Sequence, residues 1–239
     1  MVEFHKRTKI ILGIASGAVV VLGLLVYFQS QGILKVFPNA EDRRQRLLLD
    51  IDESKFAKPE GLPDETFTQE IQKLYELKTR VENNRSDADA WFDFGYQMDF
   101  LNDHEGGVAA WEKALELQPG NFVTAFNLGD RYQYFLKDYQ KSEMYYNKSL
   151  AIKPDFTSAY EGLGDLYRFN WKEKHDEFES LMIRAINNDL ANRAKYYVTL
   201  VEYFVQTDLG RARGYYIEVK QLDPEGARQL AEDYPELVQ

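Results

Sequence analysis

The decapeptide WFDFGYQMDF at residues 91–100 returns as AFNLGDRYQY at 125–134 and as YEGLGDLYRF at 160–169. In each version the first, fourth and eighth residues are aromatic or apolar and the fifth is glycine. Spacings of three and four place such residues on one face of a helix. Glycine has no side-chain carbon, so a neighbouring helix can approach closely there. The pattern predicts three copies of one amphipathic helix.

A second phrase follows each of the first two copies. The two segments are KALELQPGN (113–121) and KSLAIKPDF (148–156). Their prolines, Pro119 and Pro154, are separated by 35 residues. Proline cannot continue a helix, so each proline marks a break between units. A period of this length, made of two amphipathic helices, is typical of a stacked helical array. An ordinary helical bundle would produce three aligned glycine phrases only by chance.

These residues resemble the tetratricopeptide repeat (TPR), whose first helix carries Trp-x2-Leu-Gly-x2-Tyr and whose second helix carries Ala, an aromatic residue and a closing Pro. The resemblance covers roughly residues 65–238. It implies an all-α fold, a TPR-type α-solenoid of helix–turn–helix repeats within residues 64–239. The expected units are a half-unit at 65–83, repeats at about 88–121, 122–156, 157–192 and 193–226, and a capping helix at 225–237.

The later repeats depart from the family pattern. The second has one extra residue near Leu136–Asp138. The third has Leu190 where proline is expected and about two inserted residues near Lys172–Asp176. The fourth keeps only scattered matches, which are Tyr196, Leu200, Tyr203, Ala212, Tyr216 and Pro224.

Residues 10–28, IILGIASGAVVVLGLLVYF, contain no charged side chain. Nineteen helical residues at about 1.5 Å each nearly cross a hydrocarbon layer of ~30 Å. We therefore predict a transmembrane helix after a short cytoplasmic tail at residues 1–9. A cleavable signal peptide is the alternative, but its apolar region is usually shorter and Gln29–Gly32 lacks an Ala-x-Ala-like site. Gly13 and Gly17 form a Gly-x-x-x-Gly pair through which two spans can dimerise, although glycine is common in membrane helices.

Basic residues flank this span unequally. Three of them lie between residues 6 and 9, directly before the span, whereas Lys35 lies close behind it. The positive-inside rule then keeps the N-terminus in the cytoplasm and places the repeat domain outside it, in the periplasm if the cell is bacterial. The arginines at residues 43–46 oppose this orientation.

Residues 29–63 are predicted to be a linker that contains a short helix after Pro38. A leucine-rich run at 47–51 is expected to dock on the repeat domain or on a partner. Pro59, Gly61 and Pro63 then interrupt the chain, and Asp64 is predicted to be the N-cap of the next helix.

Composition argues against several classes of function. A net charge of −10 repels phosphate backbones, which argues against nucleic-acid partners. The absence of cysteine excludes thiolate metal sites and cysteine nucleophiles. His5, His104 and His175 show no zinc-ligand spacing, and Gly106-Gly107 is interpreted as a turn rather than a phosphate-binding loop. We therefore expect no enzymatic activity, no catalytic residue, no metal and no cofactor.

The TPR resemblance implies a partner-binding groove lined by the first helix of each repeat. Its positions in this chain are Phe92, Asp93, Tyr96, Asp99 and Phe100, then Phe126, Asn127, Asp130, Gln133 and Tyr134, then Glu161, Asp165, Arg168 and Phe169. This acidic and aromatic lining predicts a protein or peptide partner with Lys or Arg and apolar anchors. Alternatively, the aromatic residues belong to the core and the acids only keep the domain soluble. Of the Lys, Arg and Asn residues that hold a terminal carboxylate in some family members, only Asn127 and Arg168 are present, so no such clamp is expected.

Together these features predict a single-pass, membrane-anchored TPR scaffold that mediates protein–protein interaction in envelope assembly, secretion or protein maturation. One alternative is a cytoplasm-facing adaptor or regulatory subunit of a membrane enzyme complex. Another is an enzyme whose site carries no recognisable motif.

Overall fold

The computed structural model of the chain describes residues 48–239. The predicted tail, transmembrane helix, Gly13–Gly17 pair and most of the linker lie outside the described residues. The chain divides into two units at Ile51, and the second unit, Asp52–Gln239, contains all the repeats. No helix within the described part is long and apolar enough to cross a membrane.

Ten α-helices make up the described part of the second unit. They are α1 (Asp64–Asn83), α2 (Ala88–Phe100), α3 (His104–Leu117), α4 (Phe122–Tyr134), α5 (Tyr139–Ile152), α6 (Thr157–Asp165), α7 (Glu177–Asn188), α8 (Arg193–Phe204), α9 (Leu209–Leu222) and α10 (Pro224–Asp233). Residues 52–239 contain no β-strand.

The helices form an open stack. Each helix packs mainly on its neighbours in the chain, and α4 also packs on α6, the first helix of the following pair. Among residues 52–239, no substantial contact joins α1 to α10, so the helices do not close around a common centre. The prediction of an all-helical α-solenoid is therefore confirmed for this part of the chain.

Aspartate or asparagine side chains cap the N-termini of six of the helices. Each accepts a hydrogen bond from the backbone N–H three residues further on, which satisfies a donor that the first helical turn leaves free. The capping residues are Asp87, Asp103, Asn121, Asp138, Asp208 and Asp223. The short polar segments between the helices therefore fix where the next helix begins as well as connecting the helices.

Two predictions about where helices begin are wrong, each by at most about one turn of helix. Asp64 is the first residue of α1 rather than its N-cap, a position that Pro63 occupies, and its carboxylate pairs with Lys58. Gly106 and Gly107 lie inside the first turn of α3, and His104 is the first residue of that helix. The Asp103 cap starts α3 earlier than the glycines suggest.

Large aromatic side chains fill much of the interior. Trp91, Trp111, Tyr146, Tyr160 and Tyr196 are the largest fully buried side chains. They lie on successive helix pairs, so the core runs along the stack. Burial of side chains this large supplies most of the hydrophobic stabilisation.

The third repeat has an irregular first helix. After Asp165 the chain continues as a π-helical turn over Leu166–Asn170, and the N–H of Trp171 donates to the carbonyl of Leu166 at 2.8 Å. A short 3-10 turn at Lys172–Lys174 follows. The insertion predicted near Lys172–Asp176 thus begins earlier, because the π turn absorbs part of the extra length inside the helix.

The last twelve residues of the predicted linker, Asp52–Pro63, lie against the repeats, and we call them the strap. The N–H of Ala57 donates to the carbonyl of Leu101 at 3.0 Å. Lys55 Nζ lies 3.5 Å from Asp103 Oδ1, and the Tyr75 hydroxyl donates to Glu53 at 2.5 Å. The strap therefore covers the turn between α2 and α3 and one face of α1.

Candidate functional site

The predicted groove residues lie on α2, α4, α6 and the π turn that follows α6. We call the side of the stack formed by these helices and α8 the first-helix face. Two cavities open along it. The N-terminal cavity, of about 190 Å³, is lined by Tyr96, Asp99, Trp111, Phe126, Asn127, Asp130 and Arg131. The C-terminal cavity, of about 310 Å³, is lined by Tyr160, Glu161, Gly164, Asp165, Arg168, Phe178, Met182, Lys195, Tyr196 and Thr199.

In the first repeat, one of the predicted groove residues is an exposed aromatic. Tyr96 is 55% exposed. Phe92 instead packs against Trp111, with ring centroids 6.3 Å apart, and its carbonyl accepts a hydrogen bond from Trp111 Nε1 at 3.0 Å. Asp93 forms a 2.8 Å ion pair with Arg80 of α1. Phe92 therefore helps to join α2 to α3, and Asp93 joins the first repeat to the half-unit.

Asp99 is the centre of a buried polar cluster between the first two repeats. Its Oδ1 lies 2.7 Å from both Arg131 Nε and His104 Nδ1. The Arg131 guanidinium and the His104 ring both lie against Phe135, at 4.9 and 3.7 Å. The cluster ties α2, α3 and α4 together, so the Asp99 carboxylate is already neutralised within the protein.

The second repeat contributes both core and surface residues to this face. Phe126 is part of the inter-repeat packing, with ring centroids 5.8 Å from Tyr146 and 5.4 Å from Phe156. Asn127 lines the N-terminal cavity. Tyr134 is 40% exposed, and its hydroxyl acts to lower the pKa of Asp165 in the next repeat.

Two carboxylates at equivalent positions, Asp130 and Asp165, each follow the repeat glycine. Burial raises the pKa of Asp130 above its usual range, although the adjacent Arg131 acts in the opposite direction. Burial also raises the pKa of Asp165, against the opposing effect of Arg168. A buried carboxylate without full charge compensation favours the protonated form, and a nearby cation would favour the ionised form.

In the third repeat, Glu161 forms an ion pair with Lys195 of α8. Arg168 lies at the wall of the C-terminal cavity, with Phe169 beside it and 63% exposed. Phe178 and Met182 of α7 provide the apolar part of the cavity wall. This cavity thus combines an apolar wall with charges of both signs.

The predicted groove residues thus fall into two groups. Phe92 and Phe126 belong largely to the packing, and Asp93, Asp99 and Glu161 are neutralised by cations from neighbouring helices. Tyr96, Tyr134, Asp165 and Arg168 remain available on the first-helix face, together with Asn127 in the N-terminal cavity, whereas Asp130 is ion-paired with Arg131 of its own helix. Whether any of them binds a partner stays a prediction.

Sequence reasoning missed the cations that pair with these acids. Arg131 and Lys195 lie 32 and 34 residues after Asp99 and Glu161, close to one repeat length. Opposite charges separated by about one period are a signal that a search for local motifs overlooks. Lys195 and Thr199 on α8 were missed because the fourth repeat matches the family pattern poorly.

Comparison with known proteins supports this architecture. No family model matches the sequence, and no curated protein matches it significantly. One solved structure of MamA is 13% identical over 69% of this chain and 94% of its own, with a TM-score of 0.54. A MamA RS-1 ArsTM double mutant is 22% identical over 65% of this chain and 85% of its own, with a TM-score of 0.52. YrrB, described as a TPR protein with an unusual peptide-binding site, is 17% identical over 68% of this chain and 87% of its own, with a TM-score of 0.47. At these identities the likeness to the two MamA structures, whose TM-scores exceed 0.5, shows the fold alone, which agrees with the predicted TPR-type array of helices.

Proposed function

We propose, from this TPR-type fold, that the chain is a scaffold whose first-helix face holds a segment of another polypeptide. The observation that supports it best is the pair of cavities lined by residues of α2, α4, α6 and α8, with the exposed rings of Tyr96, Tyr134 and Phe169 on the same helices and the π turn. Exposed aromatic side chains beside cavities bury much apolar area when a partner binds, at little cost in side-chain entropy.

The partner segment that fits this face is basic and apolar. Asp130 and Asp165 are partly buried carboxylates whose pKa values are raised by burial, so a bound Lys or Arg would stabilise their ionised forms. Apolar side chains of the segment would enter the cavities beside Phe126 and Phe178. Charge pairing and burial together would supply the affinity.

We further propose that residues 10–28 anchor this scaffold in a membrane, with the N-terminus in the cytoplasm and the repeats outside it. The support is the uncharged nineteen-residue run and the basic cluster before it. A partner would then be held near the membrane during envelope assembly, secretion or protein maturation. The cytoplasm-facing adaptor remains the alternative, supported by the arginines at 43–46.

Membrane anchoring and topology can be tested in cells that produce the full chain. The chain should stay in the membrane fraction after carbonate extraction, and deletion of residues 1–28 should release it. External protease should then degrade the repeats in intact spheroplasts. Protection of the repeats would support the cytoplasm-facing adaptor, and release of the full chain by carbonate would contradict the anchor.

Peptide binding can be tested with the full chain in detergent and a panel of fluorescein-labelled 15-residue peptides that contain Lys, Arg and Phe. Binding should slow amide exchange in α2, α4 and α6 more than in α3, α5 and α7. Affinity should fall as the pH is lowered from 7 to about 4, because protonated Asp130 and Asp165 no longer attract the cations.

Asp165→Asn should weaken binding about three- to tenfold and flatten this pH dependence. The matched control is Asp155→Asn, because Asp155 lies in an exposed turn and pairs with Lys153 at 2.8 Å. Equal loss in both variants, or no binding by any basic-aromatic peptide, would contradict the proposed use of the first-helix face.

A further inference from the structure

Arg168 occupies a repeat position whose two earlier counterparts are internal. The eighth residue after Trp91, Ala125 and Tyr160 is Asp99, Gln133 and Arg168, respectively. Asp99 and Gln133 are buried and hydrogen-bonded within the protein, Gln133 to Tyr146 and Asn170. Arg168 instead lies in the π turn and lines the C-terminal cavity. The side chain that the third repeat presents at this position is therefore accessible from the first-helix face.

Aromatic rings hold the guanidinium of Arg168. Its central carbon lies 4.7 Å from the ring centroid of Phe169, 5.3 Å from that of Phe178 and 5.8 Å from that of Tyr203. Stacking engages the faces of a guanidinium and leaves the N–H donors in its plane free for hydrogen bonds. The rings thus restrict Arg168 without satisfying its donors.

Among residues 48–239, no oxygen accepts a hydrogen bond from Arg168, and no carboxylate forms an ion pair with it. The Asp165 carboxylate attracts the guanidinium only at longer range. The two other cations that line the cavities, Arg131 and Lys195, are paired, and so is Arg80 of the neighbouring α1. Arg80 lies 2.8 Å from Asp93, Arg131 lies 2.7 Å from Asp99, and Lys195 is paired with Glu161. Arg168 therefore lines a cavity of about 310 Å³ while its donors have no acceptor among residues 48–239.

We infer that Arg168 binds a side-chain carboxylate, Asp or Glu, of the polypeptide segment that lies along the first-helix face. The inference rests on the proposed function and adds a second charge to the partner. Basic side chains would lie towards Asp130 and Asp165, and one acidic side chain would lie at Arg168. A planar guanidinium matches a carboxylate with two parallel hydrogen bonds, which gives register as well as affinity.

A side chain fits this position better than a chain end. Lys195 and Thr199 of α8 line the same cavity beyond Arg168, so the face continues past the guanidinium. A bound chain can therefore extend over α8, and its acidic side chain can turn towards Arg168. A C-terminally amidated peptide should then bind as well as its free acid.

The test uses the full chain in detergent and amidated 15-residue basic-aromatic peptides in which a single Glu is moved along the sequence. Each peptide has a counterpart with Gln at the same position. At one position the wild-type protein should prefer Glu over Gln by about tenfold, and this preference should shrink at high salt. Arg168→Met should remove the preference by weakening the Glu peptide more than the Gln peptide, because methionine retains apolar contact with the rings but carries no charge.

Arg211→Met is the matched control. Arg211 also lies over an aromatic ring, that of Phe204 at 5.1 Å, but it is paired with Glu179 at 2.8 Å. The Glu preference should persist in this variant. Arg168→Gln provides a second removal of the charge if Arg168→Met fails to fold, as judged by circular dichroism.

Three outcomes overturn the inference. The Glu preference persists in both Arg168 variants, or no Glu position is preferred although the parent peptide binds, or binding requires a free C-terminal carboxylate. In each case the proposed function survives. If no basic-aromatic peptide binds at all, the proposed function and this inference fail together.

Discussion

Gly129 lies directly beneath the ring of Tyr146, a fully buried side chain of the next helix. A Cβ placed on Gly129 would come within 2.7 Å of Tyr146 Cδ1. The same close approach occurs between α2 and α3, where a Cβ on Gly95 would lie 2.8 Å from the carbonyl of Gly107. Helix contact therefore requires the glycine of the repeated decapeptide in the first two pairs, whereas a Cβ on Gly164 would lie 3.3 Å from the side chains of Met182 and Phe178.

Gly129→Ala should lower the free energy of unfolding by about 1–3 kcal/mol, because the buried ring must move to admit the methyl group. Urea denaturation followed by circular dichroism at 222 nm measures this change. Gly214→Ala is the control, since Gly214 lies in α9 with nothing within 4 Å of the added carbon. That substitution should stabilise the protein by up to about 1 kcal/mol through helix propensity. Equal effects at the two sites would refute the close-contact explanation.

The pairing of the charges on the first-helix face cannot be predicted from single residues. The acids and aromatics predicted for this face could be named from the sequence, but it did not show that Asp93, Asp99, Asp130 and Glu161 have internal partners. The pairings of Asp93, Asp99 and Glu161 depend on how one helix pair is rotated against the next. That rotation follows from the packing of many side chains, so no local pattern reports it.

Among the elements, the junction between the third and fourth repeats depends on one buried carboxylate. Asp189 accepts hydrogen bonds from Thr157 Oγ1 at 2.6 Å, the Tyr196 hydroxyl at 2.6 Å and Asn192 Nδ2 at 3.0 Å. Burial alone would raise the pKa of Asp189, but these hydrogen bonds outweigh burial and hold the pKa below its usual value. The carboxylate thus connects α6 to α8.

Because the pKa of Asp189 is lower in the folded than in the unfolded state, its contribution to stability is complete above about pH 4 and is lost as the pH falls through the folded value. Asp189→Asn should lower the free energy of unfolding at pH 7 by about 1–3 kcal/mol and weaken the loss of stability below pH 4. Urea titrations from pH 3 to 7 measure both effects. A variant that keeps the full acid dependence would show that Asp189 is not its source.

Breaks between helix pairs were predictable at Pro119 and Pro154, each of which follows the end of a second helix within two residues. The π turn at Leu166–Asn170 was not, because nothing in its local composition separates it from the α-helix before it. The sequence showed that the third repeat carries extra residues but placed them after the first helix. The packed neighbours determine where the extra length is accommodated.

For the whole molecule, the strap adds a layer of contacts at the N-terminal end of the stack. A stacked array buries its interior through neighbouring units, so its end units are expected to open first. The contacts of Lys55 and Ala57 with the α2–α3 turn oppose this opening. The strap is therefore expected to stabilise the first repeat more than the last.

A fragment of residues 52–239 should melt a few degrees higher than one of residues 64–239. Hydrogen exchange should become faster around Leu101 in the shorter fragment, whereas α8 and α9 should be unaffected. A fragment that lacks only residues 238–239 controls for the loss of terminal residues. Uniformly faster exchange along the array, or none near Leu101, would contradict a local role for the strap.

From its residues alone this chain could be interpreted as an all-helical array of TPR type, because helical periodicity, the repeat glycine and the spacing of the prolines are local properties. The tertiary structure was needed to separate paired from available charges, to place the π turn and to bring residues 32 and 34 positions apart into contact. Those features depend on the rotation between successive helix pairs, which is set by the fit of whole buried surfaces rather than by any short segment.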